Sequence, residues 1–491
     1  MGFRTSRAAT VAALALAVSA CSGTTPSVST GASAGASAAA SPSEPAIATP
    51  VTSGGSTAQP GQTEIRWYCC LGGGDAPEQV EVEQAVAEKF NQSHPNIHLT
   101  FEAVPYAGAN DALSVQISSG NGPDIVGPVG IGGANAFHGQ WLDLAPYIAK
   151  TNYDLSGFPK DTVDIYKLDE GQVGIPFAIY PSVLFYSKSL FEEAGLAEPP
   201  HKYGEQYTLP DGTKRAWDYD TAREVGRILT VDKAGKDATQ DGFDPKNLTQ
   251  WGFEPQRDDL RGLGAYFGAG TLAGGDGTTA QIPDAWRAGW KYFYDSIWTD
   301  HMSMDGPTFQ STDINPDGYP FFTGHVGMSE NFLWSTYGLE GLKGDWDIAA
   351  IPSYQDKVTA AFNADTFRIL KGTKHPDEAF EVLTYLLGEG SSDLLATYGG
   401  MPARTADQQA FFDGQDESFT QNPDWQVAID GIQYADNPNF ESFMPAYNET
   451  LGLVGSGGKY TTRWQTEQGL DMDKEIDALQ GEIQAIWDKQ S

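Results

Sequence analysis

The segment EIRWYCCLGGGD, residues 64–75, begins the part of the chain that decides the fold. Residues 64–68 are typical of a short β-strand, which leads directly into two adjacent cysteines and three glycines. A helix is expected next, because Glu and Gln fill one of its faces while apolar side chains recur on the other at helical spacing: Val82, Ala85, Val86 and Phe90.

The alternation of strand and helix patterns continues beyond this helix. The run NIHLTFEAV, residues 96–104, alternates apolar and polar side chains as a half-buried strand does. Residues 109–119 predict a second helix that Gly120 ends, and the run GPDIVG, residues 122–127, contains a short buried strand. The order β-α-β-α-β predicts a parallel sheet covered by helices, which is an α/β fold.

Parallel sheets of this kind bind their ligands in the loops that follow the carboxyl ends of the strands. The run CCLGGGD, residues 69–75, is such a loop, and VGPVGIGGANAF, residues 126–137, is another. These two loops are therefore candidate parts of a ligand site.

Motifs further along the chain occur in a fixed order: GPDIV (122–126), WLDLAPYI (141–148), GIPFAIYPSVLFYSKSLFEEAGLAEPP (174–200), FFTGHVGMSENFLW (321–334), DWDIAAIPS (345–353), KGTKHPDEAFEVLTYLLG (371–388) and YGGMPAR (398–404). Each motif is weak alone. In this order they resemble the bacterial extracellular solute-binding proteins of ABC importers, and in particular the carbohydrate-binding family that includes maltose-binding protein.

The resemblance implies an α/β, two-lobe periplasmic-binding-protein-like fold of type II with the ligand in a cleft between the lobes. Lobe 1 is expected to contain residues 63–178 and 360–405, and lobe 2 residues 179–359 and 406–491. The chain would cross between lobes within residues 179–184, near Ala360, and again after Arg404.

Residues 1–20 have the pattern of a secretory signal, because Arg4 and Arg7 precede an apolar run that is too short to span a bilayer. The run ends in Val18-Ser19-Ala20-Cys21, which resembles the bacterial lipobox, where the cysteine is diacylated and becomes the first residue. The family pattern prefers Leu at the position of Val18. An ordinary signal peptide with an unmodified Cys21 is the alternative.

Residues 22–62 consist almost entirely of Ser, Thr, Ala, Gly and Pro, a composition that buries too little apolar surface to fold. Residues 21–62 are therefore expected to be a lipidated cysteine followed by a disordered tether. No later stretch is apolar enough to cross a bilayer. The protein is expected to be exported and held by lipid on the extracytoplasmic face of the cell membrane.

The chain carries 65 Asp and Glu against 30 Lys and Arg, a formal net charge of −35. This balance argues against nucleic acid as a partner, since phosphate binding needs basic patches. The chain also lacks a G-x-S-x-G, an H-E-x-x-H, a P-loop and a metal-spaced histidine cluster. We therefore expect a binding protein without catalytic residues or cofactor, although plentiful carboxylates leave an exported glycosidase as an alternative.

If Cys21 carries lipid, Cys69 and Cys70 are the remaining thiols in an oxidising compartment. A disulfide between neighbours requires a tight turn, because adjacent Cα atoms lie about 3.8 Å apart while ordinary disulfides span about 4.4–6.8 Å. The three following glycines could accommodate that turn. A vicinal disulfide and a pair of reduced, buried thiols both remain open, whereas a metal site is disfavoured.

A neutral sugar offers C–H faces that stack on aromatic rings and hydroxyls that pair with acids, amides and Arg. The resemblance places ligand contacts in the first loop, at a stacking tryptophan, in the returning strand and in a late loop. The candidate residues are Cys69, Cys70, Asp75, Trp251, Glu254, Gln256, Arg257, Trp334, Asn363, Asp365 and Arg404. Three alternatives remain. Trp334 would be a core residue, Arg404 would form a surface ion pair, and the loop that contains Cys69 and Cys70 would be purely structural.

The expected ligand is a sugar or oligosaccharide that a monomeric receptor delivers to the permease subunits of an ABC transporter. A polyamine, a peptide or a metal ion is the alternative ligand, since the chain is acidic. One glycine-rich run, TVDKAGKDATQDGFDP at residues 230–245, could bind calcium, but its spacing does not fit an EF-hand. A solvated turn is the favoured interpretation of this run.

Overall fold

Most of the strands belong to one mixed sheet. The structure is a computed structural model that describes residues 51–52, 58–257, 259–315, 319–336 and 344–489, so Cys21 and the signal region lie outside the described residues. The strand order in the main sheet is β1-β3-β2-β4-β14-β7-β12-β11-β10, with β13 and β15 also paired to β7. The strands are β1 Val51–Thr52, β2 Thr63–Cys69, β3 Ile97–Ala103, β4 Ile125–Gly130, β5 Lys167–Leu168, β6 Gly171–Gln172, β7 Ile175–Ser187, β8 Gln206–Thr208, β9 Lys214–Ala216, β10 Val231–Asp232, β11 Leu248–Glu254, β12 Val326–Phe332, β13 Trp346–Ala349, β14 Phe362–Ile369 and β15 Met401–Pro402.

The 13-residue strand β7 joins two halves of this sheet. Its residues 175–181 pair antiparallel with β14, and its residues 182–187 pair antiparallel with β12 and β13. We call the part built on β1–β4, β14 and the start of β7 lobe 1, and the part built on the end of β7 and β10–β13 lobe 2. The chain therefore passes from one lobe to the other inside a single strand.

Helices cover both lobes: α1 Pro77–Ser93, α2 Tyr106–Ser118, α3 Ile131–Asn135, α4 Ala145–Thr151, α5 Lys160–Asp164, α6 Lys188–Glu193, α7 Tyr219–Ile228, α8 Leu260–Ala265, α9 Asp284–Trp298, α10 Gly306–Phe309, α11 Pro376–Leu386, α12 Ser391–Tyr398, α13 Thr405–Ser418, α14 Gln426–Gly431, α15 Tyr447–Val454, α16 Lys459–Thr466 and α17 Met472–Trp487. None of the helices in the described residues is both long and apolar enough to cross a bilayer.

The predicted β-α-β-α-β start is confirmed, because β2 pairs parallel with both β3 and β4. Two details of the prediction are wrong. Strand β3 is buried along nearly its whole length, since it lies inside the sheet with β1 and β2 on either side. The buried face of α1 contains Glu83, Val86, Ala87 and Phe90, while Ala85 is exposed.

Close packing in lobe 2 depends on a glycine pair. A Cβ on Gly252 of β11 would lie 1.7 Å from the carbonyl oxygen of Gly226 on α7. Because no side chain fits in that space, only glycine at position 252 lets α7 approach the strand so closely. The approach fixes the position of β11, whose carboxyl end points towards lobe 1.

Candidate functional site

The floor of the candidate site is formed by side chains on one face of β14 and β7. Asn363 and Asp365 lie two residues apart on β14, so they share a face. Asn363 is paired in register with Tyr180 of β7, and the Tyr180 hydroxyl lies 3.5 Å from Oδ2 of Asp365, at the long limit of a hydrogen bond. Both β14 side chains are half-buried, which leaves them partly open at the junction of the lobes.

An aromatic wall from lobe 2 stands beside this floor. Trp334 lies just after the end of β12 and is half-buried, and its ring centroid lies 5.4 Å from that of Tyr180 at 61°. The ring centroid of Phe332 lies 4.3 Å from that of the indole. The structure therefore brings the predicted Trp334, Asn363 and Asp365 together around Tyr180, which the sequence analysis did not select.

The first loop lies on the lobe 1 side of the floor. Cys69 and Cys70 are fully buried and joined by a disulfide, so of the two open interpretations the structure contains the bridged form. The next residues run beside β4, and a Cβ on Gly72 would lie 3.6 Å from Oδ2 of Asp365. It is thus the backbone after the cysteines that comes close to Asp365.

A buried carboxyl supports this loop from below. Oε1 of Glu83 lies 3.2 Å from Sγ of Cys69 and accepts a short hydrogen bond from the hydroxyl of Tyr398. Glu83 is 0% exposed, and its Oε2 has no hydrogen-bond partner among the described residues. Burial raises the pKa of Glu83 to about 8, so the group is largely protonated at neutral pH.

Burial also governs the charge of Asp365. It raises the pKa of Asp365 to about 7, and the hydrogen bond from Tyr180 opposes the rise. No basic side chain among the described residues forms a salt bridge with Asp365. Near neutral pH this carboxyl can therefore accept or donate a hydrogen bond, as a sugar hydroxyl would require.

Glu254, Gln256 and Arg257 line a small cavity of about 30 Å³ next to Asn331 of β12. Arg257 pairs closely with Glu254, donates 3.0 Å to the carbonyl of Met304, and lies 4.4 Å above the ring of Phe309. Burial raises the pKa of Glu254 to about 7 against the opposing charge of Arg257. Arg257 and Glu254 thus pair with each other, and the cavity that they line with Gln256 adjoins Ser329, Glu330 and Asn331 of β12 rather than Trp334.

Two further predicted site residues, Trp251 and Asp75, do not contact Tyr180 among the described residues. Trp251 is paired with Val326 at the start of β12, at the opposite end of that strand from Trp334. The carboxylate of Asp75 accepts a hydrogen bond of 2.9 Å from the backbone N–H of Tyr106, at the first residue of α2. Trp251 therefore lies away from Trp334, whereas Asp75 stays near the first loop, where its charge contributes to the raised pKa of Glu83.

Arg404 is engaged inside lobe 1. Its guanidinium donates 2.7 Å to the hydroxyl of Tyr153 and 3.3 Å to the carbonyl of Leu387, and it lies 4.5 Å above the ring of Phe158. The expected alternative, a surface ion pair, is wrong, because the described residues offer it these neutral partners and no salt bridge.

Contacts join α3 to the late segment that contains Glu441 and Tyr447. Asn135 of α3 donates a short hydrogen bond to the carbonyl of Glu441, and a Cβ on Gly132 of the same helix would lie 2.7 Å from the hydroxyl of Tyr447. Glu441 in turn accepts a 3.2 Å bond from the fully buried Arg261. The loop after β4, expected from sequence to be a site segment, thus contacts residues more than 300 positions later in the chain.

The residues that the sequence analysis missed differ in whether a signal was available. Glu83 stands three residues before Val86 and seven before Phe90, so an acid on the apolar stripe of α1 was visible in the sequence. Tyr180 and Tyr398 carried no such signal, because both lie in apolar or glycine-flanked runs. Their roles depend on strand register and on a contact between distant segments.

Two groups of candidate metal ligands occur among the described residues: Cys69 with Cys70 and Glu83, and His138 with Asp169 and Glu170. The first group is a disulfide beside a carboxyl, which leaves no thiolate for a metal. In the second, Nε2 of His138 lies 2.7 Å from the largely exposed carboxylate of Asp169, as in a surface ion pair.

The aspartate-rich loop is held by its own backbone. Oδ1 and Oδ2 of Asp232 accept hydrogen bonds from the N–H groups of Ala234, Lys236 and Asp244 at 2.8, 3.0 and 2.9 Å. These bonds lower the pKa of Asp232 below its ordinary value. Its oxygens are therefore already used in forming the turn.

Comparison with known proteins gives consistent results. The family described as bacterial extracellular solute-binding protein matches residues 75–393. A binding protein of Brucella abortus (strain 2308) is 24% identical over 310 residues, which cover 62% of this chain and 67% of the relative.

Solved structures share the fold at low sequence identity. The ABC substrate-binding protein Lmo0181 from Listeria monocytogenes, solved with cycloalternan, is 16% identical with a TM-score of 0.63, covering 86% of this chain and 98% of that one. The sugar-binding protein MalE from Xanthomonas citri is 16% identical with a TM-score of 0.65, covering 87% and 98%. The predicted two-lobe, periplasmic-binding-protein-like α/β fold is confirmed by these matches.

Proposed function

This chain belongs to the bacterial extracellular solute-binding proteins, and we propose that it captures a sugar or oligosaccharide between its lobes and delivers it to the permease of an ABC transporter. The proposal needs no catalytic residue and no cofactor. It extends to this chain the sugar binding that is stated in the names of structurally similar proteins.

The observation that carries the proposal is the half-buried Trp334 beside Tyr180, Asn363 and Asp365. The indole offers a flat apolar surface for the C–H face of a sugar ring. The amide and the carboxyl offer donors and acceptors to hydroxyls within the same small space. An aromatic platform with convergent polar groups is typical of a site for a small polar ligand.

Binding is proposed to proceed by closure of the two lobes around the sugar. Lobe 1 contributes Asn363, Asp365 and the backbone after Cys70, and lobe 2 contributes Trp334. The disulfide between Cys69 and Cys70 is proposed to hold the first loop rigid, so that Gly72 stays beside Asp365. Preorganising the loop would reduce the entropy lost on binding.

The amino-terminal residues support a further part of the proposal. Residues 1–20 are proposed to direct export, Cys21 to carry lipid, and residues 22–62 to tether the receptor to the outer face of the cell membrane. Within this range Val51 and Thr52 form β1 and pair with β3, so the flexible part of the proposed tether is the run before them. About 30 flexible residues give an r.m.s. reach of roughly 30 Å. Such a tether would let the folded part meet a membrane-embedded permease.

A cationic solute such as a polyamine is the second candidate. Asp365 has no basic partner among the described residues, and Arg257 and Arg261, which lie near the cleft, are already paired with acids. An ammonium group could therefore pair with Asp365 and lie against the ring of Trp334 or Tyr180.

The test is a thermal-shift and calorimetric screen of the full chain with mono- and oligosaccharides, spermidine and amino acids. A ligand at about 1,000 times its Kd adds roughly 4 kcal/mol of stability, which gives a clear shift. A sugar that binds should lose at least about tenfold in affinity in Trp334→Ala. Tyr106→Ala, which removes a ring that is 58% exposed on α2, should bind normally.

Each outcome of the screen has a definite meaning. A shift with one class of sugars supports the proposal. A shift in Tm with spermidine alone favours the second candidate ligand, a polyamine. Binding of a sugar that is unchanged in Trp334→Ala contradicts the proposed site.

A further inference from the structure

A second cavity lies in lobe 2, away from the cleft. Its volume is about 700 Å³, within the range of small-molecule sites. It contains Trp251, which pairs with the start of β12, whereas Trp334 follows the end of that strand. The seven residues of β12 span roughly 20 Å, so the two sites are separate.

One wall of this cavity is the loop between α7 and β11, where the sequence departs from a compact pattern. The loop is built on Asp232, which accepts three backbone N–H groups, and on Asp244, which accepts from the backbone of Lys246 and the amide of Asn247. The backbone N–H of Lys233 also donates 2.8 Å to the carbonyl of Asn247. These bonds hold the loop in one shape, and the cavity is lined by Lys233, Lys246 and Asn247.

The opposite wall is apolar and aromatic. Trp298, near the end of α9, is half-buried, and its Nε1–H donates 2.9 Å to the carbonyl of Trp464, which fixes the ring. Trp251, Leu248 and Ile297 complete the apolar surface. Two indoles in one cavity suit a ligand with flat C–H faces.

The charge of the cavity is opposite to that of the chain. Lys233 and Lys246 are exposed, and neither forms a salt bridge among the described residues. The acid that faces them, Asp305, already accepts the backbone N–H of Thr308 at 2.9 Å. The charge of Lys246 also acts on Asp244 of the same loop. In a protein of net charge −35, two lysines in the lining of a cavity that also contains two indoles favour an anion at this place.

We propose that this lobe 2 cavity is a second binding site that takes an acidic saccharide unit, with its ring against Trp298 and its carboxylate between Lys233 and Lys246. The site would act independently of the cleft, as a docking point for an acidic polysaccharide outside the cell. The loop around Asp232 serves to present the two lysines.

The test measures binding of trigalacturonate to the full chain by calorimetry, with maltotriose as the neutral probe. Trigalacturonate should bind at this site, and its affinity should fall with rising salt. Lys233→Gln/Lys246→Gln should weaken it about tenfold or more, and Trp298→Ala should also weaken it. Lys202→Gln/Lys357→Gln removes the same charge from two exposed lysines outside the cavity and should leave the affinity within about twofold.

The cleft variant Trp334→Ala separates this site from the proposed sugar site. Trigalacturonate binding that persists in Trp334→Ala and falls in Lys233→Gln/Lys246→Gln supports the inference. The absence of binding at millimolar trigalacturonate overturns it. Equal affinity of Lys233→Gln/Lys246→Gln and Lys202→Gln/Lys357→Gln for trigalacturonate also overturns the inference. A loss of trigalacturonate binding in Trp334→Ala overturns it as well.

Discussion

At the scale of single residues, Glu83 shows how one buried acid can govern stability. The carboxyl is buried under the first loop and its pKa is raised to about 8, whereas an unfolded glutamate titrates near about 4.3. Between these values the folded protein holds a proton that the unfolded chain releases. Glu83 therefore makes the protein lose stability as pH rises from about 4.5 to 8.

Glu83→Gln should flatten this part of the pH dependence, because the amide does not titrate. Relative to the parent protein, the free energy of unfolding of the variant should rise by roughly 4 kcal/mol between pH 5 and pH 9. Urea unfolding at pH 5, 7 and 9 measures the change. Glu81→Gln, at an exposed position of the same helix, is the control. If the free energy of unfolding of Glu83→Gln and of the parent protein changes with pH in parallel, Glu83 does not cause the pH dependence.

Arg404 offers a second prediction at this scale. Its guanidinium bonds to Tyr153 and lies over Phe158 inside lobe 1. Arg404→Ala should therefore cost about 1–2 kcal/mol of stability and leave the Kd for sugar within about twofold. Denaturant unfolding and calorimetry on the same samples measure both quantities. A tenfold loss of affinity at unchanged stability would instead make Arg404 a ligand contact.

At the scale of elements, the loop between α7 and β11 is held by hydrogen bonds to its own backbone. Asp232 accepts backbone N–H groups from residues 234, 236 and 244, so Asp232→Ala should lower stability by about 1–3 kcal/mol. Asp241→Ala, at an exposed position of the same loop, should have little effect. Treatment with a chelator should leave the Tm unchanged. A Tm that falls on chelation and recovers with calcium would revive the calcium hypothesis.

At the scale of the whole molecule, the proposed closure of the lobes would be limited by how near α3 can come to residues 439–447. A Cβ on Gly132 would lie 2.7 Å from the Tyr447 hydroxyl and 3.3 Å from Oε2 of Glu441. Gly132→Ala should hold the lobes slightly apart and weaken sugar binding about three- to tenfold, with little change in stability.

Small-angle scattering with and without sugar, together with calorimetry, measures this effect. The variant should compact less than the parent protein when sugar is added. Gly452→Ala is the matched control, because a Cβ there meets no atom within 4 Å. If Gly132→Ala compacts and binds like the parent protein, the α3 contact does not limit closure.

The sequence by itself determined the fold class, the order of the first five elements and the family. These depend on local periodicity, on strand and helix order and on motifs read in sequence, all of which are visible along the chain. Trp334 was also selected from the sequence because it ends a family-like motif, and Asn363 and Asp365 because they lie in the expected returning strand.

Only the tertiary structure decided how those residues meet. Tyr180 contacts both Asp365 and Trp334 because of the register of β7 against β14. The register between strands that are distant in sequence cannot be predicted from the spacing of residues within one strand. Trp251 and Glu254 are three residues apart in sequence yet line separate cavities of lobe 2. Arg404 acts inside lobe 1 because Tyr153 and Phe158, some 250 residues earlier, fold beneath it. Local patterns specify elements, whereas contacts between distant elements specify a site.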